Sequence, residues 1–175
     1  VKAFGRDPDT CKVLFLIFPT VANSRAEARI RVDARRADAE ANIDVRLAQF
    51  GWMTNLDLSG HDLDAPVGEL TTNGHQSTLA TFVKRAGGKT LREAMVTSST
   101  GGGSYDFVGT PADIAAEMDE VMQEVGGDGF LISLGDVSRR SVAEITDGLV
   151  PALQQQGLTR KGYRHAQFRD NLLEF

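Results

Sequence analysis

Three histidines, one cysteine and a glycine run are the parts of this 175-residue chain from which a reaction site could be assembled. His61, His75 and His165 lie 14 and 90 residues apart. No HxH or HxxxH pair brings two imidazoles to one ion, so no metal site is expected. Cys11 stands alone, which excludes an internal disulfide and any CxxC zinc or redox motif. It opens an apolar run, where a thiol acts as a small hydrophobe. Gly101-Gly-Gly103-Ser104 could hold an anion on its backbone N–H groups. The lysine and spacing of a phosphate loop are missing, however, and no GxGxxG follows a strand, so a plain loop is the reading. No GxSxG supplies the nucleophile of an α/β-hydrolase. His75 stands apart from the other two histidines. It sits in Thr71-Thr-Asn-Gly-His-Gln-Ser77, where a long loop meets a helix, and an imidazole there can give or take a proton near neutral pH. Its bland alternative is to cap that helix or to face water.

The elements that must position these residues alternate. Cys11 to Phe18 is continuously apolar and ends at Pro19, the pattern of a strand with both faces covered in a parallel sheet. Ser24-Arg-Ala-Glu27 is a capping box that opens an alanine-rich helix, with Ala26, Ile30, Ala34, Ala37 and Ala41 at helical spacing. Its five arginines between Arg25 and Arg36 alternate with acids, as on a solvated face. Helical pattern runs to about Trp52. Thr54 to Gln76 is rich in turn formers, and a stretch of that length inside a domain is often a lid or binding loop. Helices are expected from Ser77 to Arg85 and from Thr90 to Val96, separated by Gly87-Gly88. Phe107-Val-Gly109 is a short strand, and Thr110-Pro111 then starts a helix whose apolar face carries Ile114, Ala115, Met118, Val121, Met122 and Val125. Gly129 to Leu134 is a further strand. Ser141-Val-Ala-Glu144 reads as a second capping box, opening a helix that resumes at Val150-Pro151 and stops at Gly157. The order is β, a long α-rich insertion, β, α, β, α, which points to parallel α/β.

Composition sets the outer bounds. With 41% hydrophobic and 25% charged residues the chain has the balance of a soluble globular protein. The net charge of -5 speaks against nucleic-acid or anionic-membrane binding. No run approaches the ~20 apolar residues of a membrane span, and a reducing cytoplasm is the default location. The opening residues, Val1 to Asp9, read as mid-protein linker, so a piece of a longer protein is expected.

Taken together, several stretches resemble one family. They are Lys12-Val-Leu-Phe-Leu-Ile-Phe-Pro19, Ser24-Arg-Ala-Glu-Ala28, Leu56-Asp-Leu-Ser-Gly60, Leu63-Asp-Ala-Pro66, Thr72-Asn-Gly-His-Gln-Ser77, Phe107-Val-Gly-Thr-Pro111, Gly127-Asp-Gly-Phe130, Leu149-Val-Pro-Ala-Leu153 and Gln156-Gly-Leu-Thr-Arg160. In order and spacing they are similar to the C-terminal part of bacterial-luciferase-like flavin monooxygenases, in the group of nitrilotriacetate monooxygenase component A and the dibenzothiophene-sulfone and long-chain alkane monooxygenases. The resemblance implies the last strands, about the sixth to eighth, of a (β/α)8 barrel, with residues 53 to 104 as an insertion near its mouth. It implies FMN, used reduced and supplied by a separate NAD(P)H:flavin oxidoreductase, with O2 and a small organic substrate, and a homo-oligomer. Most flavin contacts would lie in an N-terminal portion absent from this chain, which alone should be inactive. Active sites of this fold gather at the C-terminal ends of strands, here Pro19-Thr20, Gly109-Thr110 and Ser133 to Asp136. Asn73, His75, Thr20 and Ser133 are therefore the substrate-pocket candidates, with His75 polarising the substrate or steadying the oxygen-charged cofactor. Two other readings stay open: a non-catalytic interaction module derived from the family, and a deazaflavin-dependent oxidoreductase on the same barrel.

Overall fold

The computed structural model describes residues 2–8, 11–99, 107–135 and 137–174. The glycine run at 101–104 and Asp136 lie outside them. The chain divides into two compact units, Val1–Arg29 with Tyr105–Phe175, and Ile30–Ser104.

In the first unit, apolar residues on one strand stop where a proline removes a donor. Strand β1 (Leu14–Ile17) pairs in parallel with β4 (Gly129–Ile132), with Leu16 beside Leu131 and Ile17 beside Ile132. Pro19 cannot continue that ladder because it has no N–H. Beyond it, β2 (Thr20–Val21) takes a different parallel partner, β3 (Val108–Gly109). The Thr20 N–H donates to the Phe107 carbonyl at 2.8 Å, and the Ser133 N–H donates to the Ile17 carbonyl at 2.9 Å. The strand that a barrel order would place between the other two is only two residues long, so β4 lies directly beside β1.

Helix α5 (Pro111–Val125) follows β3 and brings Ile114, Ala115 and Met118 onto Ile17, Val21, Phe107, Leu149 and Leu153, the core of this unit. Val125, expected on the buried face, is exposed where the helix ends at Gly126. Alternation along β1 sends Phe15 and Ile17 one way and Leu14 and Leu16 the other. Ile17, with Phe130 and Ile132 of β4, packs on that core, whereas Leu14, Leu16 and Leu131 are 41%, 55% and 51% exposed. The continuous apolar run therefore has one covered face, not two: among the described residues of this unit, helices pack on only one side of the two-stranded sheet.

The last helical stretch starts three residues before the expected Ser141. Ser138 is the N-cap and Ser141 the N3 partner of α6 (Arg139–Ala143), each side chain bonding the other's backbone N–H. A π-helical turn (Glu144–Leu149) then leads into α7 (Val150–Gln155), with the Val150 N–H reaching the Ile145 carbonyl. The wider turn fits Pro151, which has no N–H for the helical ladder and whose ring crowds the carbonyl four residues back. Beyond Gly157 the tail is organised by Asn171 of α8 (Phe168–Leu173), which is 3% exposed. Its amide donates to the His165 and Gln167 carbonyls and accepts the Arg164 and His165 N–H groups.

Helix α1 (Arg25–Ala41) opens on Ser24, whose hydroxyl accepts the Glu27 N–H at 3.1 Å. Its expected apolar stripe is exposed, Ile30 by 66%, while Ala28 and Ala39 are the buried positions. Alanines at regular spacing mark helix propensity and need not mark a packed face, because each buries little surface.

In the second unit α2 (Ile43–Thr54), α3 (Gln76–Ala86) and α4 (Leu91–Ser99) share a core built on Ile43, Phe50, Phe82, Leu91 and Met95. The Phe50 and Phe82 rings lie 4.5 Å apart. Gly87, at φ 52°, ends α3 in a backbone conformation that a side chain disfavours. Residues 55–75 form neither helix nor strand, as the turn formers require, yet they are anchored. Val67 donates to Lys89, Leu91 to Ala65 and Arg92 to Leu63, and Leu58 is buried. No helix among the described residues is long and apolar enough to cross a membrane.

Candidate functional site

The candidate residues fall in both units. Thr20 and Ser133 belong to the first: Thr20 opens β2 three residues beyond the end of β1, and Ser133 directly follows β4. Thr20 is buried and Ser133 half-buried, each tied to the neighbouring strand through its backbone N–H. Near them β2 and β3 hand over to helices, α1 and α5, whose first turns carry their own carboxylates, Glu27 and Asp113. Thr110, after β3, forms a capping box with Asp113, which accepts the Thr110 hydroxyl at 2.7 Å and its N–H at 3.1 Å. Arg25 donates to the same carboxylate at 2.6 Å. That guanidinium, followed by the two bonds from Thr110, holds the Asp113 carboxyl far below the ordinary carboxylate range. Glu27 of α1 accepts the Asn23 N–H at 3.2 Å and Arg140 at 2.7 Å, and Arg140 also holds Glu144 at 2.9 Å. Two arginine–carboxylate links thus join α1 to α5 and to α6.

Asn73 and His75 belong to the second unit. Thr54, the last residue of α2, is fully buried and its hydroxyl donates to the Phe50 carbonyl at 2.7 Å. Thr72 donates its hydroxyl to the Thr54 carbonyl and accepts the Gly74 N–H at 2.9 Å. Gly74 is pressed so closely on this point that a Cβ there would stand 2.4 Å from the Thr54 oxygen. The chain then enters α3 at His75, the N-cap, whose carbonyl accepts the Leu79 N–H. His75 does not cap the helix with its side chain. It and Asn73 are exposed at the tip of a turn that is fixed at its base.

The other histidines are placed differently. His165 lies 3.7 Å from Glu174 in the tail, and His61 lines an open groove of about 570 Å3 with Leu47, Trp52, Leu56 and Asp57. No group of three metal-ligating side chains occurs among the described residues. The Thr54–Thr72 pairing and the groove were not legible in advance. Threonines in a turn-rich stretch carry no sign of which carbonyl they reach.

No protein-family model matches the chain. Among characterised proteins it is 31% identical over 173 residues to a component of the pristinamycin IIA synthase of Streptomyces pristinaespiralis, covering 98% of this chain and 40% of that protein. It is 28% identical over 179 residues to dibenzothiophene-sulfone monooxygenase of Rhodococcus erythropolis, covering 98% and 39%. Among solved structures, a riboflavin lyase with modified FMN and riboflavin superposes at a TM-score of 0.77 with 26% identity, over 99% of this chain and 38% of that one. The chain is a relative of the luciferase-like monooxygenases. It spans about two-fifths of the length of the curated relatives it matches. Its parallel strands and their following helices share the fold of these monooxygenases.

Proposed function

We propose that this chain is the C-terminal portion, about strands six to eight, of a two-component flavin-dependent monooxygenase that oxygenates a small organic substrate. The observation that carries this reading is the open face of the β1–β4 pair. Leu14, Leu16 and Leu131 present apolar side chains that no helix of this unit covers, on the side of a parallel sheet opposite its helices. A parallel sheet is ordinarily covered on both faces. The inner layers of a barrel are what this face fits, supplied by the N-terminal portion of the same protein. The full-length protein is proposed to be a cytoplasmic homo-oligomer.

Reduced FMN, delivered by a separate NAD(P)H:flavin oxidoreductase, supplies the activation of O2 and the transfer of one oxygen atom to the substrate. The strand ends before α1 and α5 do not fit its phosphate. The first turns of α1 and α5 already face their own Glu27 and Asp113, and Arg25 and Arg140 are paired with these acids. On this reading the contribution of the chain lies on the substrate side. Thr20 and Ser133 are the substrate-side candidates of the first unit. Asn73 and His75 offer an amide and an imidazole that can orient a polar group of the substrate, with His75 able to hold or release a proton.

Reduced-FMN binding and turnover test this reading. The chain alone should bind no flavin and oxygenate nothing, and the polypeptide completed by its N-terminal portion should bind reduced FMN at micromolar levels. Turnover by the 175-residue chain, or a completed polypeptide that ignores reduced FMN, would overturn it. The second result would favour an interaction module.

A further inference from the structure

A pocket role for His75 requires that its imidazole be held in place, and the positioning role assigned here to a neighbouring residue rests on that reading of His75. Among the described residues, side-chain hydrogen bonding in the turn before His75 centres on the C-terminal carbonyl of α2. Thr72 occupies that point with both faces of one hydroxyl: it donates to the Thr54 carbonyl and accepts the N–H of Gly74, the residue before His75. Thr54 is fully buried, and its own hydroxyl is turned back to Phe50. Gly74 completes the clamp because no Cβ fits against the Thr54 oxygen. The imidazole beyond has no hydrogen-bond or ion-pair partner among the described residues. Its place is therefore set by the backbone it grows from.

We infer that Thr72 is a positioning residue for His75, holding the Asn73–His75 turn through the Thr54 carbonyl so that the imidazole is ready before substrate arrives. A side chain without partners of its own keeps a fixed place only if its backbone does, and a reacting group displaced by about 1 Å loses on the order of 100-fold in rate. Replacing the hydroxyl by a methyl group leaves the Thr54 carbonyl and the Gly74 N–H without their partner, which frees the turn while leaving His75 itself intact.

The test compares Thr72→Val, Thr72→Ser and His75→Ala in the full-length, FMN-loaded enzyme. Thr72→Val should lower kcat about 10- to 100-fold with KM held within about twofold, and Thr72→Ser should restore it. In a His75→Ala background Thr72→Val should change kcat no further, since its effect passes through the imidazole. A readout that needs no flavin accompanies these. In the chain itself, the Gly74 amide should exchange with solvent at least about tenfold faster in Thr72→Val and not in Thr72→Ser, with the Leu79 amide unchanged. If Thr72→Val lowers kcat by the same factor with and without His75, it acts on the fold and the inference is wrong. An undiminished kcat in Thr72→Val beside a strong His75→Ala defect removes the clamp alone. Should His75→Ala itself leave kcat/KM within about twofold, the pocket role of His75 falls, and the positioning role with it.

Discussion

The strand ends of the first unit and the Asn73–His75 turn of the second use polar groups in opposite ways. At the strand ends the charged groups are paired: Arg25 with Asp113, and Arg140 with Glu27 and Glu144, while the Thr110 hydroxyl is spent on Asp113. Those side chains tie α1 to α5 and to α6 and have little left to offer a ligand. The turn inverts the arrangement. Its hydrogen bonds come from the backbone and from two threonine hydroxyls, and the functional groups at its tip, the Asn73 amide and the His75 imidazole, remain exposed. Groups that hold the backbone and groups left exposed are thus drawn from different residues, and substitutions should separate them.

The largest separation should come at His75. In the full-length enzyme His75→Ala is expected to lower kcat/KM about 100-fold, the usual scale for a lost proton-transfer group. The thermal midpoint of the chain should not move, because the exposed ring supports no other group. A variant with unchanged kcat/KM, or one that melts early, would erase the distinction between the turn and the strand ends. Gly74→Ala should do the reverse. Its Cβ would stand 2.4 Å from the Thr54 oxygen and 2.9 Å from the Asn55 Cβ, so the turn must move against a buried helix end. Overpacking of this kind costs about 1–3 kcal/mol, read as a lower urea midpoint. A stability equal to that of the parent chain would mean that the contact is slack.

How much of this could be read in advance depends on whether the physics is local. Thr110-Pro111 and Ser24 were legible as helix starts because a cap and its partner lie three residues apart. The turn-rich stretch before His75 was legible as irregular backbone, and the His75 position at a loop–helix junction with it. What failed was non-local. The alanines of α1 had helical spacing but no partner to pack on, and Ser141 lost the cap to Ser138 because two serines three apart offer two equivalent starts. The Thr72–Thr54 bond spans 18 residues and leaves no pattern in sequence.

A smaller effect is expected at Thr110. Thr110→Ala removes the cap of α5 and should cost about 1 kcal/mol. It also loosens Asp113, and the pH dependence follows from that. The folded-state pKa of Asp113 is depressed, so its contribution to stability is present above the unfolded value, about 3.9, and is lost as the pH falls toward the folded one. Asp113→Asn should therefore flatten the loss of stability below about pH 4. Acid unfolding curves of the two proteins that stay parallel down to about pH 2 would show that the Arg25–Asp113 link is idle. Asp64 is also depressed, by Arg92, but that pair lies in the second unit with the Asp64 side chain 74% exposed, where solvent screens it more strongly. The acid response should accordingly follow the strand-end residue more than the loop residue.

The smallest effect should be at Leu16, and its smallness carries the most information. Leu16 and Ile17 are neighbours on one strand, 55% and 4% exposed, so alternation alone has put one in water and the other in the core. Leu16→Thr keeps a branched side chain suited to a strand and removes only apolar surface that is already half wet. In the 175-residue chain it should shift stability by no more than about 0.5 kcal/mol, whereas Ile17→Thr buries a hydroxyl and should be clearly destabilising. Placed in the full-length protein, the same Leu16→Thr change should become as harmful as Ile17→Thr, because the inner layer of a barrel would then surround it. Equal tolerance in both settings would mean that nothing covers this face, and the barrel reading would lose the observation on which it stands.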